Sequence, residues 1–273
     1  MGWKEAKVYR EEGCCGTLAI PFPFGTSSDC SLDESFLINC NNHNYDPPKP
    51  FLNPDSIEVL DISLDGLMKV ASSIASDCYD KSGSQVYATV SDLTLSHFPI
   101  SSTRNKFTAV ECDTYALVEG SEEWKQMSAG CVSWCDSIDC VVNGACSRIG
   151  CCQTSIPKGL NDFLVDIPSF RHHTRVTSFN PYGYAFVVEP EAFEFWTSDL
   201  KDLRNKKIVP VVLDWSVGNV TCQEARKNLS SYACQSIHGE CKDSSNGVGY
   251  HCHCLKGFEG NPYLLDGCRG TTS

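Results

Sequence analysis

No apolar run in this 273-residue sequence approaches the length of a membrane-spanning helix. The charged opening "MGWKEAKVYREEG" has no apolar core, so it is not a secretory leader. Basic residues are scarce: 22 Lys and Arg stand against 34 Asp and Glu, a net charge of −12. The whole surplus lies before residue 216, because residues 216–273 hold five of each sign. Nucleic acid is therefore not an expected partner, since a phosphate backbone needs a broad basic surface. Catalytic signatures are missing too. There is no G-x-S-x-G elbow, no H-E-x-x-H pair and no phosphate-cradling glycine loop. The chain itself is not expected to be an enzyme, and no cofactor is expected.

What the sequence has in abundance is cysteine. Eighteen, an even and high count, point to an oxidising compartment where disulfides persist. Cys131-x3-Cys135 and Cys140-x5-Cys146 lack the close CxxC pairs of zinc modules, so no metal is expected and all 18 should be oxidised. Twelve lie between Cys14 and Cys152, none follows until Cys222, and six more run to Cys268. The neighbours Cys14 and Cys15 point to opposite sides of an extended chain and should anchor two separate bridges. After them, Leu18, Ile20, Phe22 and Phe24 share one face at period two, while Pro21 and Pro23 restrict this strand to a sheet edge. A secreted chain without its leader implies that segments for export or anchoring lie outside this sequence.

Short β-branched or aromatic runs bounded by turn residues predict strands over 35–40, 56–64, 66–71, 85–95, 106–112, 163–168, 184–190 and 208–215. A helix or helical turn is expected over 120–135. The fold class is mainly β: a disulfide-rich β-sheet ectodomain followed by a small cysteine module. Residues 1–13 read as an added or flexible N-terminal segment, 14–215 as the cysteine-rich domain and 216–273 as the module with its flanks, hinged near 215–220.

The last six cysteines, Cys222-x11-Cys234-x6-Cys241-x10-Cys252-x-Cys254-x13-Cys268, with Gly257 and Phe258 in "CHCLKGFEG", resemble the epidermal growth factor module. The resemblance implies the pairs Cys222–Cys241, Cys234–Cys252 and Cys254–Cys268. Some staple is needed, because so small a unit buries too little apolar surface to fold on its core alone. Calcium-binding members carry acidic or amide residues just before the first cysteine. Here "SVGNVTC" has no carboxylate, so no calcium site is expected.

The ordered series "CGTLAIPFPFG", "FLINC", "KFTAVECD", "GCVSWC", "GCCQTSIPKGL", "YAFVVEP", "VPVVLDWSVGNVTC" and "GYHCHCLKGFEGNPYLLDGC" resembles the extracellular region of plant wall-associated receptor kinases. The resemblance implies a galacturonan-binding-type domain over 14–215 and a first growth-factor-like module over 222–268. It also implies a place at the outer face of the plasma membrane, in the cell wall, with cell-wall pectin or oligogalacturonides as ligand. In that family the intact receptor continues through a membrane helix to a serine/threonine kinase. The membrane would be reached only through that missing segment. The acidic balance keeps a second reading open, an ectodomain for a peptide or protein ligand in defence or growth signalling.

A galacturonate polymer meeting an acidic domain needs a local basic cluster. The densest candidates are Arg171, His172, His173 and Arg175 in "RHHTR", with Lys206 and Lys207 in "KDLRNKK"; arginine can grip a carboxylate bidentately. Protonation of His172 and His173 is expected to strengthen binding at mildly acidic pH. Tyr182, Tyr184 and Trp196 are candidates for stacking on sugar faces. The sequons at Asn219 and Asn228 are expected to be glycosylated.

Overall fold

A computed structural model of the chain describes residues 13–52, 54–122, 125–245 and 248–271. The expected N-terminal segment 1–13 lies outside them except for Gly13. The fold is mainly β, with seven disulfides. Its two compact units do not follow the order of the sequence. Unit 1 combines residues 13–70 with 214–271, and unit 2 is residues 71–213.

Unit 1 begins with a small hairpin, β1 (Gly13–Cys15) and β2 (Leu18–Ile20), closed by Gly16 at φ +61°, a conformation glycine adopts freely. Cys15 turns inward to bridge Cys40, while Cys14 faces solvent with a free thiol. The opposed directions expected of the two neighbours are there, but only one of them makes a bridge. The strand stops at Ile20, and residues 21–25 are buried on both sides. Next come β3 (Ile38–Asn41), β4 (Lys49–Leu52), β5 (Ile57–Ser63) and β6 (Leu67–Ser73), each antiparallel to its predecessor.

The core of unit 1 is aromatic and draws on both ends of the sequence. Trp215 is 0% exposed; its ring centroid lies 5.1 Å from Phe24, 5.9 Å from Phe36 and 5.8 Å from Tyr263. Its indole N–H donates to the carbonyls of Ser63 and Leu67, which removes the penalty of burying that donor. Asn261 Nδ2 donates to the Phe22 carbonyl at 2.7 Å. A hinge near 215–220 is therefore not what the structure shows: its first residue is the largest fully buried side chain of the unit.

Unit 2 holds β7 (Ala75–Tyr79), β8 (Gln85–Thr89), β9 (Ser91–Thr94), β10 (Lys106–Glu111), β11 (Asp113–Glu122), β12 (Lys125–Trp134), β13 (Ser147–Ser155), β14 (Asp162–Asp166), β15 (Tyr182–Val188) and most of β16 (Ile208–Asp214). Two antiparallel sheets result, in the orders β13-β10-β15-β7-β8 and β12-β11-β14-β9. Residues 107–111 of β10 and 183–188 of β15 are buried on both faces, as central strands require. The expected helix over 120–135 is instead half of a long hairpin, paired from Asp113↔Trp134 to Glu122↔Lys125. Period two decides it: Cys131 and Ser133 point inward, Val132 and Trp134 outward, and Cys131 bridges Cys152 of β13. Cys112–Cys135 and Cys146–Cys151 complete the bridges of this unit.

The C-terminal part of unit 1 starts with a single helical turn, α1 (Cys222–Ala225), capped reciprocally by Thr221 and Glu224. Two short hairpins follow, β17 (Gly239–Asp243) with β18 (Tyr250–Cys254), and β19 (Phe258–Gly260) with β20 (Cys268–Gly270). Bridges Cys222–Cys241, Cys234–Cys252 and Cys254–Cys268 hold them. Complete oxidation is not seen: Cys14, Cys30 and Cys140 are free and exposed, and Cys78 is free and buried in β7. Burial pushes the Cys78 thiol up to about 11, so it is inert.

Candidate functional site

A groove of about 750 Å³ opens on unit 1, walled by the β1–β2 hairpin, residues 45–50 and strand β5. The prolines at 47, 48 and 50 stiffen one wall and remove backbone donors from it. Tyr45 presents an exposed ring against Phe51, 5.6 Å between centroids, and the Lys49 ammonium sits 5.2 Å from the Tyr45 centroid. Lys49 Nζ also lies 2.8 Å from both carboxylate oxygens of Glu58, and that hydrogen bond raises the lysine's pKa. Asp46 and Asp61 add two further acids to the lining. The groove thus offers an aromatic face, one cation already shared with a carboxylate, and acceptors for sugar hydroxyls. Sequence reasoning missed Tyr45 and Lys49. A lone lysine in "NYDPPKPF" gives no charge-run signal, and the proline-rich context was the only local hint.

The sequence-chosen residues fall into different surroundings. Arg171 is exposed, its guanidinium 4.6 Å from the Trp134 ring centroid. His172 stacks on Tyr79 at 5.3 Å with the rings nearly parallel. Arg175 is exposed. His173 is fully enclosed, so its side chain is out of reach of a polymer and the expected acid-strengthened contact through it is not available. Lys206 lies 5.1 Å from the Phe193 centroid and donates to the Ala192 carbonyl, and Lys207 is exposed. Of the aromatic candidates, Tyr184 is buried in the core, Tyr182 is half-buried beneath the Arg204 guanidinium, and Trp196 is exposed. Asn219 and Asn228 are both exposed.

Beneath "RHHTR" lies a buried polar cluster. His173 Nε2 faces Glu111 Oε1, and its Nδ1 pairs with the Asn180 carbonyl at 3.0 Å. Burial pushes Glu111 up to about 7, against the pull of His173. For His173, burial lowers the pKa, but the hydrogen bond and charge of Glu111, the Asn180 carbonyl and Asp113 outweigh it, and the net direction is upward. Gly183 of β15 makes room for this carboxylate; a Cβ there would stand 2.2 Å from Glu111 Oε2. The cluster has no opening to solvent through His173 or Glu111, both 0% exposed, and so serves packing rather than ligand contact.

Comparison with known proteins places the groove in a wider setting. Residues 10–72 match a family model described as "Wall-associated receptor kinase galacturonan-binding". Every residue that lines the groove falls inside that segment. Across 93% of its length the chain is similar to three proteins of Arabidopsis thaliana. It is 42% identical over 258 residues to wall-associated receptor kinase 2, 38% over 262 to kinase 5 and 37% over 260 to kinase 1. The chain spans about a third of their length, 34% in each case. No solved structure matches it.

Proposed function

For a chain that resembles the wall-associated receptor kinases along 93% of its length, we propose a role as the extracellular ligand-binding region of such a receptor, taking cell-wall pectin or its oligogalacturonide fragments. One observation carries the reading: the groove with the exposed Tyr45 ring and Lys49 lies wholly within the segment that matches a galacturonan-binding model. A galacturonate ring has an apolar C–H face for Tyr45 and a carboxylate that can take Lys49 in exchange for Glu58. Signalling is assigned to the kinase that the relatives' names specify, and ligand capture to this segment. The division into 14–215 and 216–273, the glycans at Asn219 and Asn228, and accessory contacts from Arg171, His172, Arg175, Lys206 and Lys207 belong to the same proposal.

The test is a Tyr45→Ala/Lys49→Met variant, checked for fold and titrated with oligogalacturonide at low salt. Affinity for the groove is expected to fall on the order of tenfold or more, the worth of a charge-assisted bond plus a ring contact. Undiminished binding by the folded variant removes the groove from the reading. A peptide ligand is the second reading, favoured by β8, an edge strand with the exposed apolar side chains Val86 and Tyr87, which suits strand addition. Failure of the unaltered chain to bind oligogalacturonide at low salt turns the choice to it.

A further inference from the structure

Unit 2 carries a surface feature that the core does not explain. On the outer face of the β11–β12 hairpin, Tyr115 and Trp134 are each 39% exposed, and Phe170, 46% exposed, lies against both. Its ring centroid is 4.9 Å from Tyr115 and 5.8 Å from Trp134. The Arg171 guanidinium, 4.6 Å from the Trp134 centroid, is the cation of this patch. Among the described residues no carboxylate stands within ion-pair distance of it. Three large rings and an unpaired arginine gathered at a surface are costly to leave in water without purpose.

The patch is also held in place. Buried Asp113, at the start of β11, accepts from the Ser169 hydroxyl and from the backbone N–H groups of Arg171 and His173 through Oδ2. Its carbonyl accepts the Phe170 N–H at 3.0 Å, and the Thr114 hydroxyl donates to the Pro168 carbonyl. The 168–173 loop is thereby fixed on the strand, so ordering it costs a ligand nothing at binding. Asp113 Oδ2 is thus engaged by donors inside the protein. On the same face, Asp166 of β14 stands directly across from Leu117, and Glu119 follows two positions further along β11.

We propose that Tyr115, Trp134, Phe170 and Arg171 form a second galacturonide-binding site, on unit 2 and outside residues 10–72. A uronic acid unit matches it in two respects. The apolar face of its pyranose ring stacks on an aromatic ring, and its carboxylate accepts from the outward N–H groups of Arg171, which the Trp134 face leaves free at the guanidinium edge. A neutral sugar would use only the rings, whereas a uronide uses the rings and the arginine within a single unit. This inference rests on the reading of the chain as a galacturonide binder.

The experiment is calorimetric titration of the full chain with trigalacturonic acid and with its methyl ester, at low salt. The parent, the groove variant Tyr45→Ala/Lys49→Met, a platform variant Tyr115→Ala/Phe170→Ala and the single variant Arg171→Gln are compared, each verified as folded by its melting curve. Loss of one binding equivalent in the platform variant, with the groove variant keeping that equivalent, is the expected result. Arg171→Gln should weaken the platform equivalent on the order of tenfold to a hundredfold, and the methyl ester should bind there as weakly to the parent as the acid does to the variant. Full stoichiometry and affinity in both the platform variant and Arg171→Gln overturns the second site and leaves the groove reading standing. Loss of all binding in the groove variant alone does the same. No heat from the parent with trigalacturonic acid overturns both, and binding at the platform of a peptide but not of the uronide overturns this inference.

Discussion

At the scale of single residues, the most consequential side chains are ones that cannot meet a ligand. Glu111 and His173 form one buried titrating pair, and both pKa values lie above their ordinary ranges, with Glu111 at about 7. A raised folded-state pKa means that the folded chain holds more protons than the unfolded one across the interval between the two values. The pair's contribution is therefore complete below the ordinary carboxylate range and is lost as pH rises through about 7 and above. His253, whose pKa burial lowers, acts in the opposite sense near neutrality. Melting temperature measured from about pH 5 to about pH 8 should fall less steeply with pH in Glu111→Gln than in the parent, because His253 is common to both. Equal slopes would show that the pair does not set the pH dependence. None of this was legible in "RHHTR". Its five polar residues read as one accessible basic cluster, whereas the structure, with positive φ at His172 and His173, stacks one ring on Tyr79 and buries the other.

Strands were readable where their residues are β-branched, aromatic and bounded by turn formers, as in β10, β14, β15 and β16. The β12 strand was not, because "GSEEWKQMSAG" mixes helix formers with small residues and no clear period. Its identity comes from its partners, the ten-pair ladder to β11 and the bridge to Cys152. That misreading hid the aromatic platform as well, since a helical period sends Val132 and Trp134 to different faces while a strand puts them together. Elements far apart in sequence are locked by buried amides. Asn105 Nδ2 donates to the carbonyls of Ser101 and Val212, and its Oδ1 accepts the Val212 N–H. Asn105→Ala removes three buried hydrogen bonds, although the Val212 carbonyl keeps the Ser101 N–H, and should cost about 2–4 kcal/mol in urea unfolding. A loss below about 0.5 kcal/mol, the range of ordinary surface changes, would mean that water replaces the amide.

For the whole molecule, family resemblance conveyed the class and the cysteine module, but contiguous segments were a poor guide to how the chain packs. Unit 1 is assembled from both ends of the sequence around Trp215. Trp215→Ala should therefore cost about 3–5 kcal/mol, and it should lower protease resistance near Phe24 and Phe36 as well as in the cysteine module. Digestion confined to the module would contradict a shared core. The same arrangement governs biogenesis. Among the described residues the bridges are local, none spanning more than 25 positions, so each can close soon after its second cysteine is made. Non-covalent closure of unit 1 cannot follow that schedule. Residues 13–70 leave the ribosome first, yet Phe24 and Phe36 wait for Trp215 and Tyr263 until all of unit 2 has been translated. The earliest strands to be synthesised are among the last to be covered, and in the interval their aromatic side chains are the natural substrate of a chaperone.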